Sequence, residues 1–264
     1  MLIAFSLTLF AGLATAIGGL IVLFQKKTDL KFMSLCLSFA AGIMIYISFT
    51  DIFFKSMEAL QYHFEDTYML IVTVSFFVGL GIMAIIEKFI PQSEISTKEM
   101  LQKDINEHLS VTEEKELKKT GIMSAIAVAL HNFPEGLIVF LAALYEPAAG
   151  VILAIGIAIH NIPEGVAIAS PIYYATGSKA KAFWITFISG LTEPLGALLG
   201  YFILSSIFTY AVEGISFAFV GGIMVFISFH KLLPTSQKYA NHSTVMKGLF
   251  AGMAVMAISI VLLT

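Results

Sequence analysis

The chain alternates long apolar blocks with short polar interruptions. Eight blocks approach or exceed the roughly 20 residues that a spanning helix needs. They cover 2–24, 32–54, 68–90, 121–143, 148–170, 182–209, 214–233 and 246–264. The eighth is short and has Lys247 at its start. The pattern predicts an all-α membrane protein with eight transmembrane helices in a single domain over 1–264. One long polar stretch, Pro91 to Thr120, mixes lysines with seven acids. It reads as a cytoplasmic loop over 91–120, part of it an amphipathic helix. The first block has no basic residue ahead of its apolar core, and Lys26 and Lys27 come after it. That order is wrong for a cleavable signal, so the block reads as a retained span.

Composition agrees: 58% of residues are hydrophobic and 12% charged, with mean hydropathy +0.89. A soluble domain carries roughly twice that charge. Charge sidedness then orients the spans. All fifteen basic residues are lysines, and only Lys55 lies off the side shared by the others. Positive charge beside span ends stays cytoplasmic, so both termini are expected outside, in a cell (inner) membrane. Cys36 is the only cysteine, which excludes an intrachain disulfide and a thiolate cluster.

A repeat is written into the chain. Gly42-Ile43-Met44-Ile45-Tyr46-Ile47-Ser48-Phe49 in span two matches Gly222-Ile223-Met224-Val225-Phe226-Ile227-Ser228-Phe229 in span seven, with six of eight positions identical. Gly12-Leu13 with Gly18 in span one matches Gly190-Leu191 with Gly196 in span six more weakly. The repeat pairs spans one to three with spans six to eight. Equivalent helices lie five spans apart, an odd number, so the two copies should point in opposite directions. The expected arrangement is 3+2+3, an inverted repeat of the kind that supports alternating access around a midplane site.

Ionisable residues inside a bilayer are costly and mark function. Span four holds His131-Asn132-Phe133-Pro134-Glu135-Gly136, and span five holds His160-Asn161-Ile162-Pro163-Glu164-Gly165. Each copy begins about ten to twelve residues into its span, a depth of about 15–18 Å, near the bilayer centre. His131 and Glu135, like His160 and Glu164, are four apart and share a helical face. Asn132 and Asn161 lie beside them. Imidazole, carboxylate and amide oxygen together suit zinc and neighbouring divalent ions. Pro134 and Pro163 cannot donate to the carbonyls of Leu130 and Ile159, so both helices should kink there. Span six adds Thr192-Glu193-Pro194 at the same depth. Three carboxylates in low dielectric repel one another or protonate, and a divalent cation resolves that problem. Asp51 and His230 lie near opposite mouths and are candidate outer and inner ligands.

These residues resemble the ZIP (Zrt/Irt-like) family of metal transporters, in its ZupT- and GufA-like bacterial branch. The resemblance covers essentially the whole chain and rests most on the doubled HNxPEG motif. It implies a binuclear site. One subsite would take His131, Glu135, His160 and Glu164. The other would take Asn132, Asn161, Glu164 and Glu193, with Glu164 bridging. It further implies import toward the cytoplasm, an elevator motion of spans one, four, five and six, and a homodimer. Zn²⁺ is the expected cargo, with Fe²⁺, Mn²⁺, Co²⁺ and Cd²⁺ as further candidates, and no separate cofactor or nucleic-acid partner is expected. Two features depart from many members: the polar loop is not histidine-rich, and Lys231 follows His230 where an acid is common.

The rival readings are an intramembrane metalloprotease and a proton-linked transporter without metal. The protease reading needs a glutamate base beside the first histidine, as in H-E-x-x-H. Asn132 and Asn161 occupy that place. No G-x-x-x-x-G-K-[ST] nucleotide loop is present.

Overall fold

The computed structural model describes residues 1–24, 30–89, 111–145, 147–199, 201–202 and 210–263. Among them there is no strand, and eight segments are long and apolar enough to cross a membrane. The helices are α1 (Leu2–Leu23), α2 (Leu30–Ile47), α3 (Phe53–Gln61), α4 (Tyr68–Phe89), α5 (Val111–Tyr145), α6 (Pro147–Thr176), α7 (Lys179–Gly190), α8 (Thr192–Leu199), α9 (Tyr210–Ile227), α10 (Leu233–Tyr239) and α11 (His242–Leu263). Two π-helical turns, Ser48–Ile52 and Ser228–Leu232, join α2 to α3 and α9 to α10 without a break.

The expected spans are recovered with three differences. Span four begins at Val111, so the polar residues up to Thr120 continue the helix rather than form a loop. Glu113 and Glu114 in its first turn oppose the positive end of the helix dipole, and Leu117 is buried. Residues 91–110 of the expected loop lie outside the described residues. Spans two and seven run on through their π-turns to Gln61 and Tyr239. Finally, span six is divided at Leu191, whereas spans four and five continue as helix through Pro134 and Pro163, where kinks are expected. In span six Ser189 also gives up its carbonyl to the Thr192 hydroxyl at 2.6 Å.

Glycines set the helix packing, because they let backbones approach closely. A Cβ at Gly165 would overlap the carbonyl oxygen of Thr15, and one at Gly18 that of Ile162. The pair Gly136 and Gly196 behaves alike, against Glu193 and Phe133, as does Gly42 with Gly252, against Leu249 and Phe39, and Gly79 with Gly222, against Phe219 and Phe76. In each pair a glycine meets the carbonyl three residues before its counterpart. Asn161 meets Ala11 one turn before Gly165 meets Thr15, so α1 and α6 run parallel. Gly248 meets Leu35 one turn before Gly252 meets Phe39, so α2 and α11 do too.

These contacts repeat at equivalent positions. Gly42 against α11 has its counterpart in Gly222 against α4. The two π-turns begin at equivalent serines, which bond back to Met44 at 2.6 Å and Met224 at 2.8 Å. Hydroxyls bonded in this way bend helices. Ser56 donates to the Gly214 carbonyl at 2.7 Å, and its counterpart Ser236 donates to Ser34 at 3.0 Å. The close glycine contacts also sort the helices. They join α1, α5, α6, α7 and α8 to one another, α2 to α11, and α9 to α3 and α4, and none crosses between these three groups among the described residues.

Candidate metal centre

The midplane residues come from α5, α6 and α8. Gly136 brings α5 against the Glu193 backbone, and Gly165 brings α6 against α1. The last glycine of each HNxPEG motif is therefore what lets its helix reach a neighbour. Asn132, Asn161, Glu164 and Glu193 are wholly shielded from solvent, and Glu135 and His160 nearly so.

One contact ties the motif copies together, and two hydrogen bonds tie the second copy to its neighbours. His160 Nε2 stands 3.6 Å from Glu135 Oε1, joining α6 to α5. Asn161 Nδ2 donates to Glu193 Oε2 at 2.8 Å and to the Ala11 carbonyl at 2.9 Å, joining α6 to α8 and α1. Those bonds fix the amide with its oxygen turned away from both. Asn161 Oδ1 has no hydrogen-bond partner among the described residues, nor do Glu193 Oε1 and both amide atoms of Asn132. A buried polar atom without a partner costs about 1–3 kcal/mol. A concentration of them at one depth is the mark of groups built to bind something. Glu135 and Glu164 also lie within electrostatic reach of Glu193. The donors are oxygens and imidazole nitrogen, the set that borderline divalent ions take.

The structure brings six of the seven expected midplane residues into this buried layer. His131 is on α5 beside Asn132, with its side chain outside the described residues. Among the described side chains, no three of His, Cys, Asp and Glu form a ready cluster for one ion. Asp51 and His230 lie in the π-turns and engage protein partners: Asp51 pairs with Lys55 at 2.9 Å, and His230 Nε2 reaches Glu87 Oε2 at 2.7 Å while stacking on Phe226.

Glu87 was not expected. It is a buried acid at the end of α4 and pairs with both His230 and Lys231. Its signal was an acid one residue inside the last lysine of span three, which reads as an ordinary boundary residue. Around it a cavity of about 340 Å³ is lined by Lys119, Thr120, Thr235 and Lys238 among others. Lys238 pairs with Glu116 at 2.5 Å, partly exposed at the rim of this cavity. Exposed pairs contribute little, so Lys238→Ala should change stability by less than about 1 kcal/mol, measured by thermal unfolding in detergent. The α1 contribution was missed as well, because a backbone carbonyl such as that of Ala11 has no signature in sequence.

Comparison with known proteins decides the family. The family model described as ZIP Zinc transporter matches residues 91–260. The chain is 50% identical over 264 residues to "Zinc transporter ZupT" of Lysinibacillus sphaericus (strain C3-41), covering 100% of this chain and 98% of that protein. The protein of the same description from Chlorobaculum parvum (strain DSM 263 / NCIMB 8327) is 48% identical, covering 99% and 98%. That from Clostridium perfringens (strain 13 / Type A) is 46% identical, covering 99% and 96%. The chain belongs to the ZIP family, in its ZupT-like branch. The expected resemblance therefore holds over its whole length. ZIP members are transporters and not enzymes, which sets aside the protease reading, and the eight candidate spans make this one a multi-pass membrane protein.

Proposed function

We propose that this chain imports Zn²⁺ into the cytoplasm through a binuclear midplane site. His131, Glu135, His160 and Glu164 form one subsite. Asn132, Asn161, Glu164 and Glu193 form the other, and Glu164 bridges them. Fe²⁺, Mn²⁺, Co²⁺ and Cd²⁺ are candidate competitors. The observation that carries this reading is the buried layer of oriented donors, in which Asn161 is held by Glu193 and Ala11 with its amide oxygen left over. The relatives' shared description as zinc transporters supports the choice of cargo.

The same reading includes outward termini, a 3+2+3 inverted repeat, a homodimer and residence in the inner membrane. The matched π-turns and matched glycine contacts support the repeat. The moving body is α1 with α5 to α8, sliding against α2, α3, α4, α9, α10 and α11. Support comes from the glycine contacts, which interlock α1 with α5 to α8 and join none of these to the other helices among the described residues.

The test is uptake into sealed liposomes holding the purified protein and an enclosed zinc-sensitive dye. Saturable zinc influx, reduced by the competing ions, is expected. The measurement is repeated across external pH. Proton flux without metal flux would sink the proposal and favour the metal-free relative of this mechanism.

A further inference from the structure

The correspondence of Gly12 with Gly190 and of Gly18 with Gly196 has a consequence for the residue midway between them. It makes Thr15 of α1 the counterpart of Glu193 of α8. The packing obeys the same equivalence. Gly136 of the first motif rests on the Glu193 backbone, and Gly165 of the second rests on the Thr15 backbone. Thr15 therefore flanks the site from α1 as Glu193 does from α8.

Its hydroxyl is wholly buried and has no hydrogen-bond partner among the described residues. Two other buried threonines bond back to the carbonyl four residues earlier, Thr8 to Ala4 at 2.9 Å and Thr186 to Ala182 at 2.8 Å. For Thr15 that carbonyl belongs to Ala11, and it already accepts from Asn161. The hydroxyl is thus not spent on its own helix.

The other half of the correspondence has the same character. Asn161 bridges Ala11 and Glu193, so its counterpart Asn132 should bridge Ser189 and Thr15. The Ser189 carbonyl instead accepts from Thr192, and both amide atoms of Asn132 are left without a partner among the described residues. Two neutral polar groups, Thr15 and Asn132, are thereby set aside where the equivalent pair holds a carboxylate and an amide.

We propose that Thr15 is a further residue of the metal path. Its hydroxyl and the Asn132 amide oxygen form a neutral oxygen-donor pair that holds a water of the partly hydrated cation beside the three carboxylates. A hydroxyl in place of a fourth carboxylate limits the negative charge of the site. It also favours a cation that keeps bound water, zinc over the softer cadmium. The inference rests on the zinc-carrying reading above.

The test compares wild type, Thr15→Val and Thr15→Ser in sealed proteoliposomes, with Zn²⁺ and Cd²⁺ assayed separately. Valine keeps the shape and removes the hydroxyl. Thr15→Val should raise the KM for zinc about tenfold, the scale of a lost outer partner, with Vmax within about twofold, and lower the zinc-to-cadmium preference. Thr15→Ser should restore both. A Thr15→Val protein with wild-type KM and preference would overturn the inference while leaving the transport reading intact. Absence of metal flux in the wild type would overturn both. Should the valine protein not fold, zinc-induced thermal stabilisation of Thr15→Ala against Thr15→Ser decides the matter. A smaller shift for alanine supports the role, and equal shifts refute it.

Discussion

Glu164→Ala is expected to abolish zinc uptake, by more than about 100-fold, while the protein still folds. The magnitude follows because even outer partners of a metal are worth about 10–100-fold, and Glu164 is proposed to touch both ions. The folding half of the expectation is less intuitive. Glu164 is fully buried in a layer that also holds Glu135 and Glu193. Removing one of three neighbouring carboxylates relieves repulsion when no cation is bound. Thermal unfolding without metal should therefore stay level or move upward, and the stabilisation that zinc confers should disappear. Glu164→Gln, which keeps the volume, should behave alike on both counts. Near-normal uptake in either variant would remove Glu164 from the bridging role.

The second large effect comes from a residue with no side chain. Gly136→Ala would drive a methyl group into the Glu193 carbonyl oxygen, a backbone atom that cannot swing aside. Overpacking of this kind costs about 1–3 kcal/mol. The larger damage is positional, since α5 and α8 must separate, and with them Asn132 and Glu135 from Glu193. Uptake is expected to fall at least tenfold, with a lowered unfolding temperature. Gly81→Ala is the control, because a Cβ there meets open space and should change neither measurement. Matching behaviour of the two variants would mean that the α5–α8 approach does not set the site.

The sequence revealed the parts of this molecule whose physics is chemical rather than geometric. Apolar blocks and their lysine borders gave the spans, since burying charge in lipid is costly wherever it occurs. The two HNxPEG motifs and Thr192-Glu193-Pro194 stood out for the same reason. Less visible were features that leave hydropathy unchanged. A π-turn inserts a residue into an apolar helix without altering its composition, and only the paired Ser48 and Ser228 hint at it. The helical start at Val111 was hidden because a polar helix and a polar loop share residues. Proline at 134 and 163 reads as a kink within a continuing helix, and the helices do continue; the parting of span six at Leu191, where Thr192 takes up the Ser189 carbonyl, was not legible. His230 read as an isolated mouth ligand because its partner Glu87 becomes visible only when helices are in register, whereas Lys55, four residues after Asp51, was open to a reading by spacing.

The matched halves also bear on energetics. For a carrier built from two identical inverted halves, the outward-open and inward-open forms would be mirror exchanges of one another and equal in free energy. Every mismatched pair then tilts that balance. Here Thr15 stands against Glu193, Thr50 against His230, and Asp51 against Lys231. The last mismatch places an acid in one π-turn, paired with Lys55, and a lysine in the other, paired with Glu87. A bias of about 1.4 kcal/mol between the two forms already means a tenfold difference in their populations. Under the proposed inverted-repeat mechanism, mismatches such as these bias the resting orientation of the transporter.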